Sequence, residues 1–168
     1  HQTGLDRATA TFVTKDLGPS ATLQDHVEHF RKAKDYAISS HGEVYKGATA
    51  SETAAFVAYS GAGYKKINKA LRSGQKASAA SGLDSLLSKA TLPDNLTLYR
   101  GVSASILGSN PQQMVGKVIT DKGYTSTSMS EYTGATFADK SRKALIEIRA
   151  PKGTMGFLTL ADNPDVPG

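Results

Sequence analysis

Helix-forming patterns fill residues 21–92 of the chain and strand-forming patterns dominate 93–168. This segregation constrains the fold more than any other feature. Strands that alternate with helices build parallel doubly wound sheets, whereas a run of helices followed by a run of strands builds an α+β fold. The chain is therefore expected to be α+β, a single domain of 168 residues with a polar, irregular lead over 1–20. That length suffices for one real core and is short for two.

In the helical part, Thr22 to Ile38 carries Leu23, Val27, Phe30, Ala33 or Lys34, and Ala37 at helical spacing, with Ser20 or Thr22 as cap. Ser39-Ser40-His41-Gly42 is read as its end. Thr49 or Ser51 caps the next helix, where Glu52 in the first turn suits the dipole. Gly61 and Gly63 interrupt Tyr59-Ser60-Gly61-Ala62-Gly63-Tyr64 before a further helical run, 65–72, closed by Ser73-Gly74. Tyr64, Asn68 and Leu71 or Arg72 share one face of that run. Residues 75–82 read as a flexible loop, and Leu83 to Ala90 as a short helix stopped before Leu92-Pro93-Asp94.

In the strand-rich part, residues 96–102 alternate with period two. Arg100 falls on the face of Leu96 and Leu98. A charge there is costly to bury unless it meets an anion, which makes Arg100 the strongest functional candidate. The plain alternative is an arginine at a strand end reaching into solvent. Residues 103–120 form a mixed connection with a turn or helix start at Asn110-Pro111. Then comes Asp121-Lys122-Gly123-Tyr124-Thr125-Ser126-Thr127-Ser128-Met129-Ser130, the densest run of hydroxyls in the chain. Tyr124, Thr125 and Thr127 favour an extended strand, on which Ser126, Thr127 and Ser128 present hydroxyls to alternate faces. Such a strand offers hydrogen bonds and no charge or base. It suits holding a polar ligand, and its plain alternative is a polar edge strand. A helix from the cap Ser130 to Lys140, strands at Lys143 to Ala150 and Met155 to Leu160, a turn at Pro151-Lys152-Gly153 and a loop over 161–168 complete the expectation.

The formal net charge of +5 fits an anionic ligand or partner. The charge is spread out, without the arginine-rich run, aromatic-basic interleaving or Cys/His finger that would favour nucleic acid. With no Cys there is no disulfide framework, thiolate metal site or Cys nucleophile. His26 and His29 lie three apart but lack a third ligand nearby, and no metal site is assigned. All four His precede residue 42, so a Ser-His-Asp triad at Ser126 has no support in the sequence. There is no Rossmann glycine fingerprint or Walker loop, and no apolar run long enough to span a membrane.

Tyr99-Arg100-Gly101, then Gly123-Tyr124-Thr125-Ser126-Thr127-Ser128, then Phe137, then Ile146-Glu147-Ile148-Arg149-Ala150-Pro151-Lys152-Gly153 resemble, in this order, mono-ADP-ribosyltransferases of the Arg/Ser-Thr-Ser/Glu type. The upstream Tyr59-x4-Tyr64-x3-Asn68-x2-Leu71-Arg72 is similar to the helix these proteins place over the nicotinamide, most like the actin-modifying binary bacterial toxins. The resemblance spans roughly residues 22–160 and implies N-terminal helices on a split, mostly antiparallel two-sheet β-sandwich holding NAD in a cleft between the sheets. It implies that Arg100, next to Gly101, pairs with the NAD phosphates. Ser126 would position a catalytic Glu, with Thr127 and Ser128 structuring the strand. Tyr64 and Asn68 would contact NAD with Tyr59 nearby, and Phe137 would pack on the nicotinamide. The implied reaction is transfer of ADP-ribose to a protein side chain, arginine being expected, by a secreted or injected toxin acting in a host cytosol. Actin, a small GTPase or a phage's host polymerase all fit as acceptor.

The family's Glu-x-Glu or Gln-x-Glu motif is expected just past Gly168. Residues 1–168 are therefore expected to be a C-terminally truncated piece, completed by the segment that carries the motif and inactive alone. The alternative is a catalytically dead NAD- or anion-binding module of the same fold.

Overall fold

The computed structural model describes Ser20, residues 22–138 and residues 143–159. Residues 1–19 of the irregular lead expected over 1–20, the end of the expected helix at Lys140, and Leu160 with the terminal loop lie outside the described residues, as do the side chains of His26 and Phe30. In chain order come α1 (Leu23–Lys46), α2 (Ala50–Ala58), a π-helical turn (Tyr59–Gly63), α3 (Tyr64–Arg72) and α4 (Ala80–Ser88). β1 (Leu96–Ser103), two 3-10 turns (Ala104–Leu107 and Pro111–Met114), α5 (Glu131–Thr136) and β2 (Lys143–Ala150) follow. The α+β order holds. The chain forms two compact units. Among the described residues no helix is long and apolar enough to cross a membrane.

The helical unit comprises Val27–Pro93, Asp121–Tyr124 and the chain from Lys152. Helix α1 runs on to Lys46 rather than ending at Ser39–Gly42. The Ser39 and Ser40 hydroxyls donate back to the Tyr36 carbonyl at 3.1 and 2.6 Å, so the local bonds that could have stopped the helix close onto it. The buried stripe of α1 lies at Tyr36, Ala37 and His41, while Val27 is exposed, so the expected apolar face is only partly used. His41 Nδ1 accepts the Leu158 N–H at 2.9 Å and its Nε2 lies 2.8 Å from the Thr91 carbonyl. The neutral ring with its proton on Nε2 satisfies both contacts, and it stacks on Phe157 at 5.4 Å.

Helix α2 has the expected Thr49 cap in its full reciprocal form. Thr49 Oγ1 accepts the Glu52 N–H at 3.2 Å, and Glu52 Oε2 accepts the Thr49 N–H at 2.9 Å. Glu52 does more than meet the dipole. It is buried, and its Oε1 accepts from Ser85 Oγ at 2.5 Å and Lys89 Nζ at 2.6 Å, tying α2 to α4 and the residue that follows it. The lysine, the serine and the cap amide hold its carboxyl down to about 2. Ala55, Ile67 and Leu83 form the adjoining core, with Tyr59, Leu71 and Tyr124 packed against it. The π-helical turn kinks at Gly61, whose ψ of −150° is not helical.

The strand unit contains the start of α1, Asp94–Thr120 and Thr125–Pro151. β1 pairs antiparallel with β2 from Leu96↔Ala150 to Ser103↔Lys143. Helix α5, capped by Ser130, lies against β1 where two glycines meet. A Cβ on Gly134 would stand 2.7 Å from Tyr99 Cβ, and one on Gly101 would strike the Gly134 carbonyl. Two further ladders expected from the sequence are reduced to single bridges, Tyr99↔Ser128 and Thr91↔Met155. Near Met155 the reason is visible. The Leu92 amide to the Thr154 carbonyl and the Gly156 amide to the Ala90 carbonyl make that one bridge; on either side of it the Gly153 amide turns to the Leu92 carbonyl and the Leu158 amide is taken by His41, so the ladder goes no further.

Because folding depresses the Glu52 carboxyl, its stabilising contribution is present above the unfolded value of about 4.5 and is lost as pH falls from there toward 2. The melting temperature is expected to decline across that window, and Glu52→Gln should lower it at pH 7 while flattening the acid limb. An unchanged acid limb in Glu52→Gln would contradict the assignment. Leu86→Ala, at a side chain 2% exposed, should cost about 2–5 kcal/mol in denaturant unfolding.

Candidate functional site

The strand unit brings together two motifs that lie 26 residues apart in sequence. Arg100 sits mid-way along β1, opposite Ile146 of β2, half-buried as its place after Leu96 and Leu98 suggested. Its Nη1 donates to the Ser126 carbonyl at 2.9 Å. On the other edge of β1, Tyr99 exchanges both backbone hydrogen bonds with Ser128, at 2.7 and 2.8 Å. One strand therefore carries the arginine and also holds the Ser-Thr-Ser segment, through a guanidinium at Ser126 and a peptide pair at Ser128. The Ser128 hydroxyl turns back to accept the Ser130 N–H at 3.0 Å. Thr127 is exposed, and Phe137, at the C-cap of α5 rather than within it, is 68% exposed.

The helical unit gathers the upstream residues. Tyr59 lies edge-on to Tyr64 at 6.3 Å and to Tyr124 at 5.5 Å. Asn68 is 5% exposed, and its amide is paired with the backbone of Tyr124. Oδ1 accepts the Tyr124 N–H at 2.8 Å, and Nδ2 donates to the Tyr124 carbonyl at 3.1 Å and to the Tyr59 hydroxyl at 3.2 Å. The Tyr59 hydroxyl in turn donates to the same carbonyl at 3.2 Å. The Tyr124 phenol donates to Asp84 at 2.6 Å. Burial, then that bond, push it above the usual tyrosine range. One turn along α3, Arg72 grips Asp121 with two bonds of 2.8 Å, and Asp121 also accepts the Gly123 N–H at 2.9 Å. That carboxylate raises the Arg72 pKa further.

Residues 28–161 match the sequence model of the ADP-ribosyltransferase exoenzymes. The chain belongs to that family. The fold is similar to the C3 exoenzyme of Clostridium limosum, at 19% identity and a TM-score of 0.62 over 87% of this chain and 79% of that one. It is also similar to an ADP-ribosyltransferase from Clostridium botulinum, at 23% identity and 0.56 over 73% of each. A third likeness is to an ADP-ribosyltransferase toxin from Paenibacillus larvae, at 24% and 0.55 over 74% of this chain and 72% of that one. No curated protein matches the chain in sequence.

The sequence singled out Arg100, Tyr59, Tyr64, Asn68 and the Ser-Thr-Ser segment as site candidates. It gave no account of Tyr124 and Asp121, whose backbone and carboxylate receive Asn68 and Arg72. The shared helical face of Asn68 and Arg72 was the available signal. Its partners, more than 45 residues away, were not.

Since folding raises the Tyr124 phenol, its contribution is complete below the ordinary tyrosine value near 10 and is lost as pH climbs beyond it. Thermal melts from pH 8 to 11 should show a steeper alkaline fall in the unsubstituted protein than in Tyr124→Phe. Parallel curves would count against this placement of the phenol.

Proposed function

We propose that the protein transfers the ADP-ribose of NAD to a side chain of a target protein, arginine being the expected acceptor, as a secreted or injected toxin that works in a host cytosol. The family membership supports the reaction class, and one observation carries the site: β1 presents Arg100 while holding Ser126 and Ser128 beside it. A guanidinium fork suits the NAD pyrophosphate, and adjacent hydroxyls suit its ribose and carboxamide. In this reading Gly101 keeps β1 free of a side chain next to Arg100. Ser126, Thr127 and Ser128 line the ligand, and the exposed Phe137 ring meets the nicotinamide.

The reaction breaks the bond between nicotinamide and ribose and passes the ribose carbon to the acceptor, with nicotinamide leaving. Its oxocarbenium-like transition state needs a carboxylate close by. The resemblance assigns that group to a Glu-x-Glu or Gln-x-Glu motif, oriented by Ser126.

Calorimetric titration with NAD tests the site. Arg100→Ala should weaken binding by about tenfold or more, the scale of one charge-assisted bond pair. Unchanged affinity would remove Arg100 from the phosphate role. A chain that ignores NAD but binds DNA with a steep salt dependence would defeat the whole reading.

A further inference from the structure

Tyr124 enters the Ser-Thr-Ser segment without a strand beside it. Among the described residues the segment's first backbone bridge comes at Ser128. A side chain takes the missing strand's place. The Asn68 amide has the same donor and acceptor as a peptide group, and it meets both the N–H and the carbonyl of Tyr124, at 2.8 and 3.1 Å, as a ladder partner would. Two features show that the fold makes room for this contact. Asn68 is 5% exposed, and Gly123 lacks the side chain whose Cβ would stand 2.9 Å from Asn68 Oδ1. The two N–H groups of the amide have two protein acceptors, the Tyr124 carbonyl and the Tyr59 hydroxyl, which leaves no donor for a ligand.

We propose that Asn68 is a positioning residue, which sets the backbone register of Tyr124 and thereby delivers Ser126, Thr127 and Ser128 to NAD. The inference rests on the assignment of that segment to NAD. Tyr124 directly precedes Thr125 and Ser126 in the chain, so its backbone register sets where that segment begins. Tyr59 supports the same carbonyl with a longer bond.

The test reads two quantities in the same variants: hydrogen exchange at the Tyr124 amide by NMR, and NAD affinity by calorimetry. Asn68→Ala should speed exchange at Tyr124 about tenfold or more, leave the amides of β1 and β2 as they were, and weaken NAD binding about tenfold. Asn68→Asp keeps an acceptor for the Tyr124 N–H and loses the donor to its carbonyl. It should preserve protection at Tyr124 while weakening NAD about threefold or more, and it carries the test if Asn68→Ala does not fold. Tyr59→Phe should act in the same direction by less. Loss of NAD affinity in Asn68→Ala with exchange at Tyr124 unchanged would mean that Asn68 touches NAD itself, and would overturn the proposal. So would faster exchange with affinity intact. Failure of the unsubstituted protein to bind NAD would overturn the NAD assignment itself, and is visible before any substitution is made.

Discussion

A stretch of backbone that lies outside a helix and outside a long ladder must still find partners for its N–H and carbonyl groups. Residues 124–128 find theirs at every second position and from three different sources. Tyr124 is met by a side-chain amide, Ser126 by a guanidinium and Ser128 by the backbone of Tyr99. The hydroxyl-rich segment is therefore fixed by residues that belong to the site's own motifs. Arg100, the candidate for the ligand's phosphates, also supports this segment at Ser126.

The helical unit shows the same economy of partners. Glu52 closes its own cap and reaches Ser85 and Lys89 with the remaining oxygen. His41 uses both ring nitrogens, one toward Thr91 and one toward Leu158. These are buried polar groups with complete sets of bonds, and among the described residues no buried side-chain nitrogen or oxygen is left without a partner. A fully satisfied network in a low-dielectric interior rigidifies what it joins, whereas a half-satisfied one destabilises.

The sequence was most legible where a local rule decides. The Thr49 cap, the strands at 96–103 and 143–150, the Ser130 cap and the break at Gly61 follow from capping, period-two alternation and glycine conformation, all short-range effects. It was least legible where a long-range contact overrides the local rule. Ser39-Ser40 looked like a stop because serine competes for backbone bonds. In the fold those hydroxyls bond within the helix, and the buried His41 carries the helix on to Lys46. The β-branched and aromatic residues at 124–127 looked like a ladder, but the partners that arrived were Asn68 and Arg100. For the site, residue types and their order marked Arg100, the Ser-Thr-Ser segment and the face of α3. What each side chain grips depended on chain closure that spacing alone does not encode.

Amide chemical-shift mapping during an NAD titration addresses the central claim most directly. The account predicts saturable shifts concentrated at Tyr99–Gly101, Thr125–Ser128 and Phe137. Shifts confined to other surfaces, or none at NAD concentrations well above the millimolar range, would contradict it.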